Sequence, residues 1–238
     1  MKIALIGYGK MGKAIEAVAL QQGHSIVLTI DQDNTADLTP ENLLRADVAI
    51  EFTGPDSAFG NIMTCLESGT PLVCGSTGWL AGMDAVKDYC RHHNATFLYA
   101  SNFSIGVNLF FEINKRLASL MNVHPEYDIL LEETHHTQKK DAPSGTAVTL
   151  AEQVLEKIDR KTQWINDATT DKNQLPIVSY RIDPAPGTHV VTYSSPVDSI
   201  SISHTAHSRL GFAWGAVLAA AFIKDKKGIF NMQDVLGL

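Results

Sequence analysis

The sequence of 238 residues has few cysteines and no apolar run long enough to span a membrane. Its longest apolar stretch, 212–223, contains Gly215 and falls well short of the roughly 20 residues that cross a bilayer. Residues 1–6 enter a predicted strand at once and lack the apolar core of a signal peptide. The 3 cysteines are an odd number without C-x-x-C spacing, which favours reduced thiols over disulfides: Cys65, Cys74 and Cys90. We therefore expect a cytoplasmic protein without a membrane partner.

Cationic charge is also scarce, because 19 Lys and Arg residues oppose 26 Asp and Glu residues and give a formal net charge of -7. This balance argues against nucleic acid as a partner, since phosphates are bound by a broad cationic surface. An anionic ligand would need a local cationic site instead. The histidines lack carboxylate or cysteine partners at ligand spacing, so we expect no metal site.

The first motif is a glycine turn between a predicted strand and a predicted helix. Strand 2–6 runs into the turn, a helix over 14–20 follows, and a second strand over 25–30 leads to an acidic residue. This arrangement is typical of dinucleotide binding, because the glycines let the backbone approach the pyrophosphate and the acid reaches the ribose. The candidate cofactor residues are Gly7, Gly9, Lys10, Met11, Gly12 and Asp31. The plain alternative is an ordinary strand-to-helix turn that needs glycine.

The identity of the dinucleotide stays open between NADH and NADPH. Asp31 favours NADH, because no arginine follows it to meet a 2′-phosphate. Lys10 in the glycine turn could still bind such a phosphate.

Strands and helices go on alternating up to residue 100 and predict an α/β fold with a Rossmann-like doubly wound parallel sheet. Ligands of such sheets bind outside the carboxyl ends of the strands. Three loops follow strand ends in this part of the chain, and any one of them alone could be a simple turn. Their candidate cofactor residues are Phe52, Thr53, Gly75, Ser76, Thr77, Ala100, Ser101, Asn102 and Phe103.

The pattern changes after residue 104, where a helix and a strand over 127–132 lead to a helix over 147–158. The polar segment 159–174 follows, and we expect it to be exposed and mobile. Three β-rich runs with hairpin-like spacing then predict an open mixed sheet in a second, α+β domain: 177–181, 188–194 and 199–204.

The last part of the chain should return to the first domain, beginning with the apolar helix 212–223. We therefore expect one domain to comprise 1–104 and 208–238 and the other to comprise 105–207.

A second motif brings proton-transfer groups and a helix start together within one short segment. The neighbouring His135 and His136 offer groups that exchange protons near neutral pH. Lys139 can hold a carboxylate or donate a proton. Gly145 and Thr146 open a predicted helix, whose unpaired N–H groups favour an anion. Each feature alone is more often a surface histidine pair or a well-capped helix, but their coincidence indicates an active site.

This segment resembles the signature of the 4-hydroxy-tetrahydrodipicolinate (dihydrodipicolinate) reductases of bacterial lysine and diaminopimelate synthesis. From Glu132 to Ala147 it reads Glu-x-x-His-His-x-x-Lys-x-Asp-Ala-Pro-Ser-Gly-Thr-Ala. The strand-end loops and residues 204–209 also occur in the family's order and spacing. Two departures are a glycine turn one residue tighter than usual and Ser76 where the family commonly has threonine.

The resemblance implies reduction of 4-hydroxy-tetrahydrodipicolinate to tetrahydrodipicolinate by NADH or NADPH with loss of water. It also implies that 1–104 with 208–238 binds the dinucleotide, while 105–207 binds the dicarboxylate and builds a homotetramer. The implied catalytic residues are His135 as acid or base and Lys139 as proton donor. The implied ligands of the substrate carboxylates are His136, Gly145, Thr146 and Arg209. Two rival functions remain, namely a different dinucleotide-dependent dehydrogenase and a non-enzymatic NAD(P)H sensor.

Overall fold

The computed structural model describes residues 1–238, which form two compact units. Met1–Ile105 and Arg209–Leu238 make the first unit, and Gly106–Ser208 makes the second. The chain passes between the units after Ile105 and after Ser208, each time one residue later than the boundary expected from the sequence. The chain therefore leaves the first unit once, builds the second, and returns.

Regular structure begins almost at the first residue and continues to the last few. The strands are β1 (Lys2–Ile6), β2 (Ser25–Ile30), β3 (Val48–Glu51), β4 (Leu72–Cys74), β5 (Thr96–Tyr99), β6 (Asp128–His135), β7 (Gln163–Ile165), β8 (Gln174–Arg181), β9 (Thr188–Ser194), β10 (Ser199–Thr205) and β11 (Gly228–Phe230). The helices are α1 (Lys10–Gln21), α2 (Pro40–Leu43), α3 (Pro55–Glu67), α4 (Met83–His93), α5 (Ile105–Met121), α6 (Gly145–Lys157), α7 (Leu210–Ile223) and α8 (Met232–Leu236). None of these helices has both the length and the apolarity needed to cross a membrane.

The first unit is built on a parallel six-stranded sheet in the order β11-β5-β4-β3-β1-β2. Alternate residues of β1 enter cores on opposite faces, since Ile3 and Leu5 pack with α1 and α7 whereas Ala4 and Ile6 pack with α3 and α4. Helices on both faces of a parallel sheet confirm the predicted doubly wound fold. The strand order reverses between β1 and β3, which is where such sheets form a ligand crevice.

The second unit carries a mixed five-stranded sheet in the order β10-β9-β6-β8-β7. Its central strand β6 runs antiparallel to β9 and parallel to β8, as expected for an open mixed sheet. Alternate residues of β6 are buried: Ile129, Leu131, Glu133 and His135. Two polar side chains thus share the inward face with two aliphatic ones. Because of this alternation, Glu133 and His135 at the end of β6 both point toward the interior of the second unit.

The sequence expectation was wrong about the segment 159–174 in one respect. It contains β7, which pairs in parallel with β8 from Gln163 opposite Gln174 to Ile165 opposite Pro176. It also contains the buried Lys161, whose Nζ donates to the Gln174 carbonyl at 2.9 Å. A three-residue edge strand has too few positions to show alternation, so only its pairing reveals it.

Candidate functional site

A cleft of about 440 Å³ lies at the carboxyl ends of β1, β2 and β3. It is lined by the glycine turn, by the residues after β2 and β3, and by the start of α3: Gly7, Tyr8, Gly9, Ile30, Asp31, Gln32, Thr35, Leu38, Phe52, Thr53, Gly54, Asp56, Ser57 and Asn61. Its position at the strand-order reversal is that of a dinucleotide site. The structure therefore brings the first, second and third β-strand ends together, as the sequence predicted.

Each glycine of the turn meets a different geometric demand. Gly7 has φ +93°, and a Cβ there would lie 2.1 Å from the carbonyl oxygen of Phe52. A Cβ on Gly12 would lie 2.2 Å from the Gly7 carbonyl oxygen, so α1 can pack closely on the turn only with glycine. Gly9 precedes α1 and has no atom within 4 Å of its Cβ position. Open space at that helix start leaves room for an anionic ligand.

Other candidate residues of the turn region take less direct positions. Lys10 is exposed at the start of α1 and does not line the cleft, while Met11 packs partly buried against the core. Asp31 is exposed, lines the cleft, and accepts from the Gln32 amide at 2.9 Å. The cleft lining contains two carboxylates, Asp31 and Asp56, and no lysine or arginine. At Asp31, this lining suits a ribose diol better than a 2′-phosphate.

The strand-end loops of β3, β4 and β5 touch one another through aromatic and hydroxyl groups. The ring centroids of Phe52 and Phe103 lie 5.5 Å apart, and a Cβ on Gly75 would lie 2.2 Å from the Phe52 ring. The Thr53 amide donates to Ser76 Oγ at 2.8 Å. Of the remaining candidates, none lines the cleft: Thr77 and Ser101 are exposed, and Ala100 and Asn102 are half-buried.

In the second unit, the buried carboxylate of Glu133 is the centre of a polar cluster. Both of its oxygens accept from the Ser144 amide at 3.1 Å, and Arg181 Nη2 donates to Oε1 at 3.1 Å. Oε2 lies 3.4 Å from His135 Nδ1 and 3.7 Å from His189 Nε2. One anion thus connects β6, β8, β9 and the entry to α6.

The surroundings move the pKa values of Glu133 and His135 below their usual ranges. Burial alone raises the pKa of Glu133, but hydrogen bonds from His189, Ser144, Ser179 and Arg181 outweigh it and hold the pKa well below normal. Burial lowers the pKa of His135 to about 4, against the opposing attraction of Glu133. The positive charges of Lys139 and Arg181 contribute to this lowering of the pKa. His135 is therefore a neutral imidazole near pH 7, able to accept a proton.

Stability should fall by about 2 kcal/mol between pH 7 and pH 5 because of His135 alone. The folded protein lowers the pKa of His135 from 6.5 to about 4, so the unfolded chain binds a proton that the folded chain does not. The stabilisation is therefore lost as pH falls from 6.5 toward 4. Urea denaturation at both pH values should show this loss in the wild type and a smaller loss in His135→Asn. Equal losses in the two proteins would contradict the assignment.

Lys139 lies on the loop that follows β6, and Arg181 supports that loop. Lys139 Nζ pairs with Asp141 Oδ2 at 2.9 Å, which holds the pKa of Asp141 below its usual range. Arg181 donates to the carbonyl oxygens of Lys139 at 3.3 Å and of Asp141 at 2.5 Å. The half-buried His136 lies on the same loop, just before Thr137, whose amide donates to Asp183 Oδ1 at 3.1 Å. The loop is thus fixed at several points before any ligand binds.

Helix α6 begins beside this cluster. Ser144 Oγ accepts from the Ala147 amide at 3.2 Å and lies 3.0 Å from His189 Nε2. Gly145 is exposed, with no atom within 4 Å of its Cβ position, and Thr146 is half-buried. Their amides lie in the first turn, where a helix leaves N–H groups without intrahelical acceptors. They are available to an anion.

Arg209 is not part of this cluster. It lies exposed in the first unit at the start of α7, where its carbonyl accepts from the Phe212 amide at 3.1 Å. Its expected role as a carboxylate ligand remains a prediction.

Sequence reasoning missed three members of the cluster: Glu133, Arg181 and His189. Glu133 had a usable signal, because it lies two residues before His135 and so on the same face of a strand. His189 falls within the predicted β-rich run 188–194, which indicates no chemical role. Arg181 carried no signal at all.

The cluster also bears on the expected absence of a metal. Glu133, His135 and His189 offer ligand atoms that all lie within 4.8 Å of one another, so the fold supplies the carboxylate partner that sequence spacing did not. Both oxygens of Glu133 already accept hydrogen bonds, one of them from the cationic Arg181. A second cation there would meet like charge. We interpret the group as a buried charge network.

Comparison with known proteins relates both units to one family. The family profile "Dihydrodipicolinate reductase, N-terminus" matches residues 1–103, and "Dihydrodipicolinate reductase, C-terminus" matches residues 106–236. A relative from Christiangramia forsetii named 4-hydroxy-tetrahydrodipicolinate reductase is 48% identical over 99% of this chain and 98% of its own. One of the same name from Laribacter hongkongensis is 34% identical over 97% of this chain and 95% of its own.

A solved structure agrees at the level of the fold. The dipicolinate-bound dihydrodipicolinate reductase from Paenisporosarcina sp. TG-14 superimposes with a TM-score of 0.78 at 22% identity, covering 98% of each chain. Together, the two family profiles span nearly the whole sequence. The chain belongs to the dihydrodipicolinate reductase family.

Proposed function

We propose that the chain reduces 4-hydroxy-tetrahydrodipicolinate to tetrahydrodipicolinate with loss of water, in lysine and diaminopimelate biosynthesis. Its full-length relationship to reductases of that name supports the reaction. The geometric observation that carries the proposal is the buried pair of Glu133 and His135. The imidazole of His135 is neutral near pH 7 and lies at the start of the loop that contains Lys139. An acid–base pair next to a helix start is what reduction of a dianionic substrate requires.

In the second unit, His135 exchanges a proton as acid or base and Lys139 donates one. The two carboxylates of the substrate are held by groups of complementary charge or polarity: His136, Gly145, Thr146 and Arg209. The two amides among them act through the start of α6, and Arg209 offers a forked guanidinium. In an acidic chain, these local donors provide the cationic character that a dicarboxylate needs.

The cleft of the first unit holds the dinucleotide, whose nicotinamide supplies the hydride when bound. Its fit rests on the open backbone at Gly9 and on Asp31, which can accept from the ribose hydroxyls. The other residues proposed to contact it are Gly7, Lys10, Met11, Gly12, Phe52, Thr53, Gly75, Ser76, Thr77, Ala100, Ser101, Asn102 and Phe103. The absence of lysine and arginine from the cleft lining favours NADH over NADPH.

Gly9→Ala should weaken NADH binding about tenfold or more, because a methyl group would occupy the closest approach of the pyrophosphate. Stability should not fall, since nothing lies within 4 Å of the added Cβ. Gly60→Ala is the matched control, because Gly60 also has free space around its Cβ position but lies within α3 and does not line the cleft. Isothermal titration calorimetry with NADH measures the affinity of each variant. Equal affinities for the two variants would contradict this placement of the pyrophosphate.

A coupled assay tests the function directly. The condensation product of pyruvate and aspartate semialdehyde is supplied, and nicotinamide absorbance is followed with NADH and with NADPH. We expect the enzyme to oxidise both NADH and NADPH, with a higher kcat/KM for NADH. Asp31→Ser should reduce the ratio of kcat/KM for NADH to that for NADPH. A different dehydrogenase would oxidise neither cofactor with this substrate. A sensor would bind NADH without turning over any dicarboxylate.

We also propose a cytoplasmic homotetramer. The strand β10 forms an edge of the mixed sheet, and Ile200 on it and Val197 before it are 42% and 90% exposed. Exposed apolar side chains on a sheet edge suit contact with another copy of the chain. Light scattering in solution measures the assembly.

A further inference from the structure

We infer that Glu51, at the end of β3, is a positioning residue of the cofactor site, acting through Thr53 and Ser76. The inference rests on the proposed function only in taking a nicotinamide dinucleotide as the ligand of the cleft. Neither the proposed reaction nor the predicted contacts give Glu51 a role.

Glu51 is a carboxylate with no accessible surface and with neutral hydrogen-bond donors as its partners. Its Oε1 accepts from the Thr53 amide at 3.0 Å, from Ser76 Oγ at 3.0 Å and from the Thr53 hydroxyl. Its Oε2 accepts from Cys74 Sγ at 3.1 Å. No salt bridge involves Glu51. Because burying a carboxylate is costly, an apolar residue like the preceding Val48 to Ile50 would serve the sheet better.

Glu51 is the acceptor in each of these hydrogen bonds, which fixes their direction. The hydroxyl protons of Thr53 and Ser76 point toward Glu51, so both oxygens are left as acceptors. Ser76 Oγ accepts from the Thr53 amide at 2.8 Å, and Thr53 Oγ1 accepts from Ser57 Oγ at 3.0 Å and Asn61 Nδ2 at 3.3 Å. Glu51 therefore sets the proton arrangement of a whole chain of polar groups.

That chain forms one wall of the cleft. Thr53, Ser57 and Asn61 all line it, and Ser76 ties the end of β4 to the same wall. Glu51 itself is excluded from the cleft and acts only through these neighbours. Its contribution is to hold the wall in one hydrogen-bonding state before the dinucleotide arrives, which reduces the ordering cost of binding.

Two substitutions separate this role from simple packing. Glu51→Met keeps the volume and removes every acceptor, and we expect NADH affinity to fall about tenfold, as for the loss of one or two hydrogen bonds. The KM for the dicarboxylate should stay within about threefold. Glu51→Gln can keep its carbonyl at the three donors of Oε1 and turn its amide to the Cys74 thiol, so it should restore NADH affinity to within about threefold of the wild type.

NADH fluorescence titration gives the affinities, and thermal unfolding confirms that the variants are folded. If Glu51→Met does not fold, Ser76→Ala is the second variant, and it should weaken NADH binding severalfold. Wild-type affinity in a folded Glu51→Met, or in Ser76→Ala where that replaces it, would overturn the inference alone. A wild-type chain that binds neither NADH nor NADPH would overturn the proposed function and this inference with it.

Discussion

Lys139→Ala is expected to lower kcat by roughly a hundredfold or more, the loss typical of a missing acid or base group. The ammonium lies on a loop anchored by Arg181, next to the buried imidazole of His135, which its charge influences. Stability should hardly change, because the ion pair with Asp141 is largely exposed on the carboxylate side, at 60%, and such pairs contribute little. The coupled assay measures kcat, and urea denaturation measures the free energy of unfolding.

Two variants separate proton donation from charge. Lys139→Arg keeps the cation but replaces the ammonium by a guanidinium that does not release a proton, so it should retain substrate binding without restoring turnover. Lys140→Ala removes the neighbouring exposed lysine and should keep wild-type turnover. If Lys139→Arg turns over at the wild-type rate, Lys139 binds a carboxylate and does not donate the proton.

Local patterns predicted the fold and the first motif because their causes lie within short segments. Strand alternation and the glycine turn from Gly7 to Gly12 reflect backbone demands that neighbouring residues reveal, and Asp31 is found because it follows directly after the second strand. The structure explains the turn, since Gly7 and Gly12 occupy positions where a Cβ would collide with backbone oxygens. The predicted doubly wound sheet and mixed sheet are confirmed on the same basis.

The cluster around Glu133 could not be predicted in full because its partners are distant in sequence. Arg181 lies 48 residues from Glu133 along the chain, and Ser144 lies 45 residues from its partner His189. Only the register of β6 with β8 and β9 brings these groups together. The burial of Glu51 could not be predicted for a different reason, since a single glutamate at the end of an apolar strand resembles an exposed strand end.

The second large effect is expected at Glu133, where Glu133→Gln should destabilise the fold by about 3–5 kcal/mol, as for breaking a buried ion pair. The substitution leaves Arg181 without its anion and turns an amide donor toward either Arg181 or the Ser144 amide. It should also lower turnover, because His135 loses the negative charge beside Nδ1. Urea denaturation and the coupled assay measure both effects.

The dependence on pH gives an independent check on this ion pair. The lowered pKa of Glu133 means that its stabilisation is present above the ordinary pKa of 4.5 and is lost as pH falls below it. Glu133→Gln should lack that part of the acid-induced loss. Glu132→Gln is the matched control, because the neighbouring Glu132 lies on the other face of β6 and accepts only from the exposed Tyr180 hydroxyl at 3.2 Å. Equal destabilisation by the two substitutions would mean that the cluster is not held by the charge of Glu133.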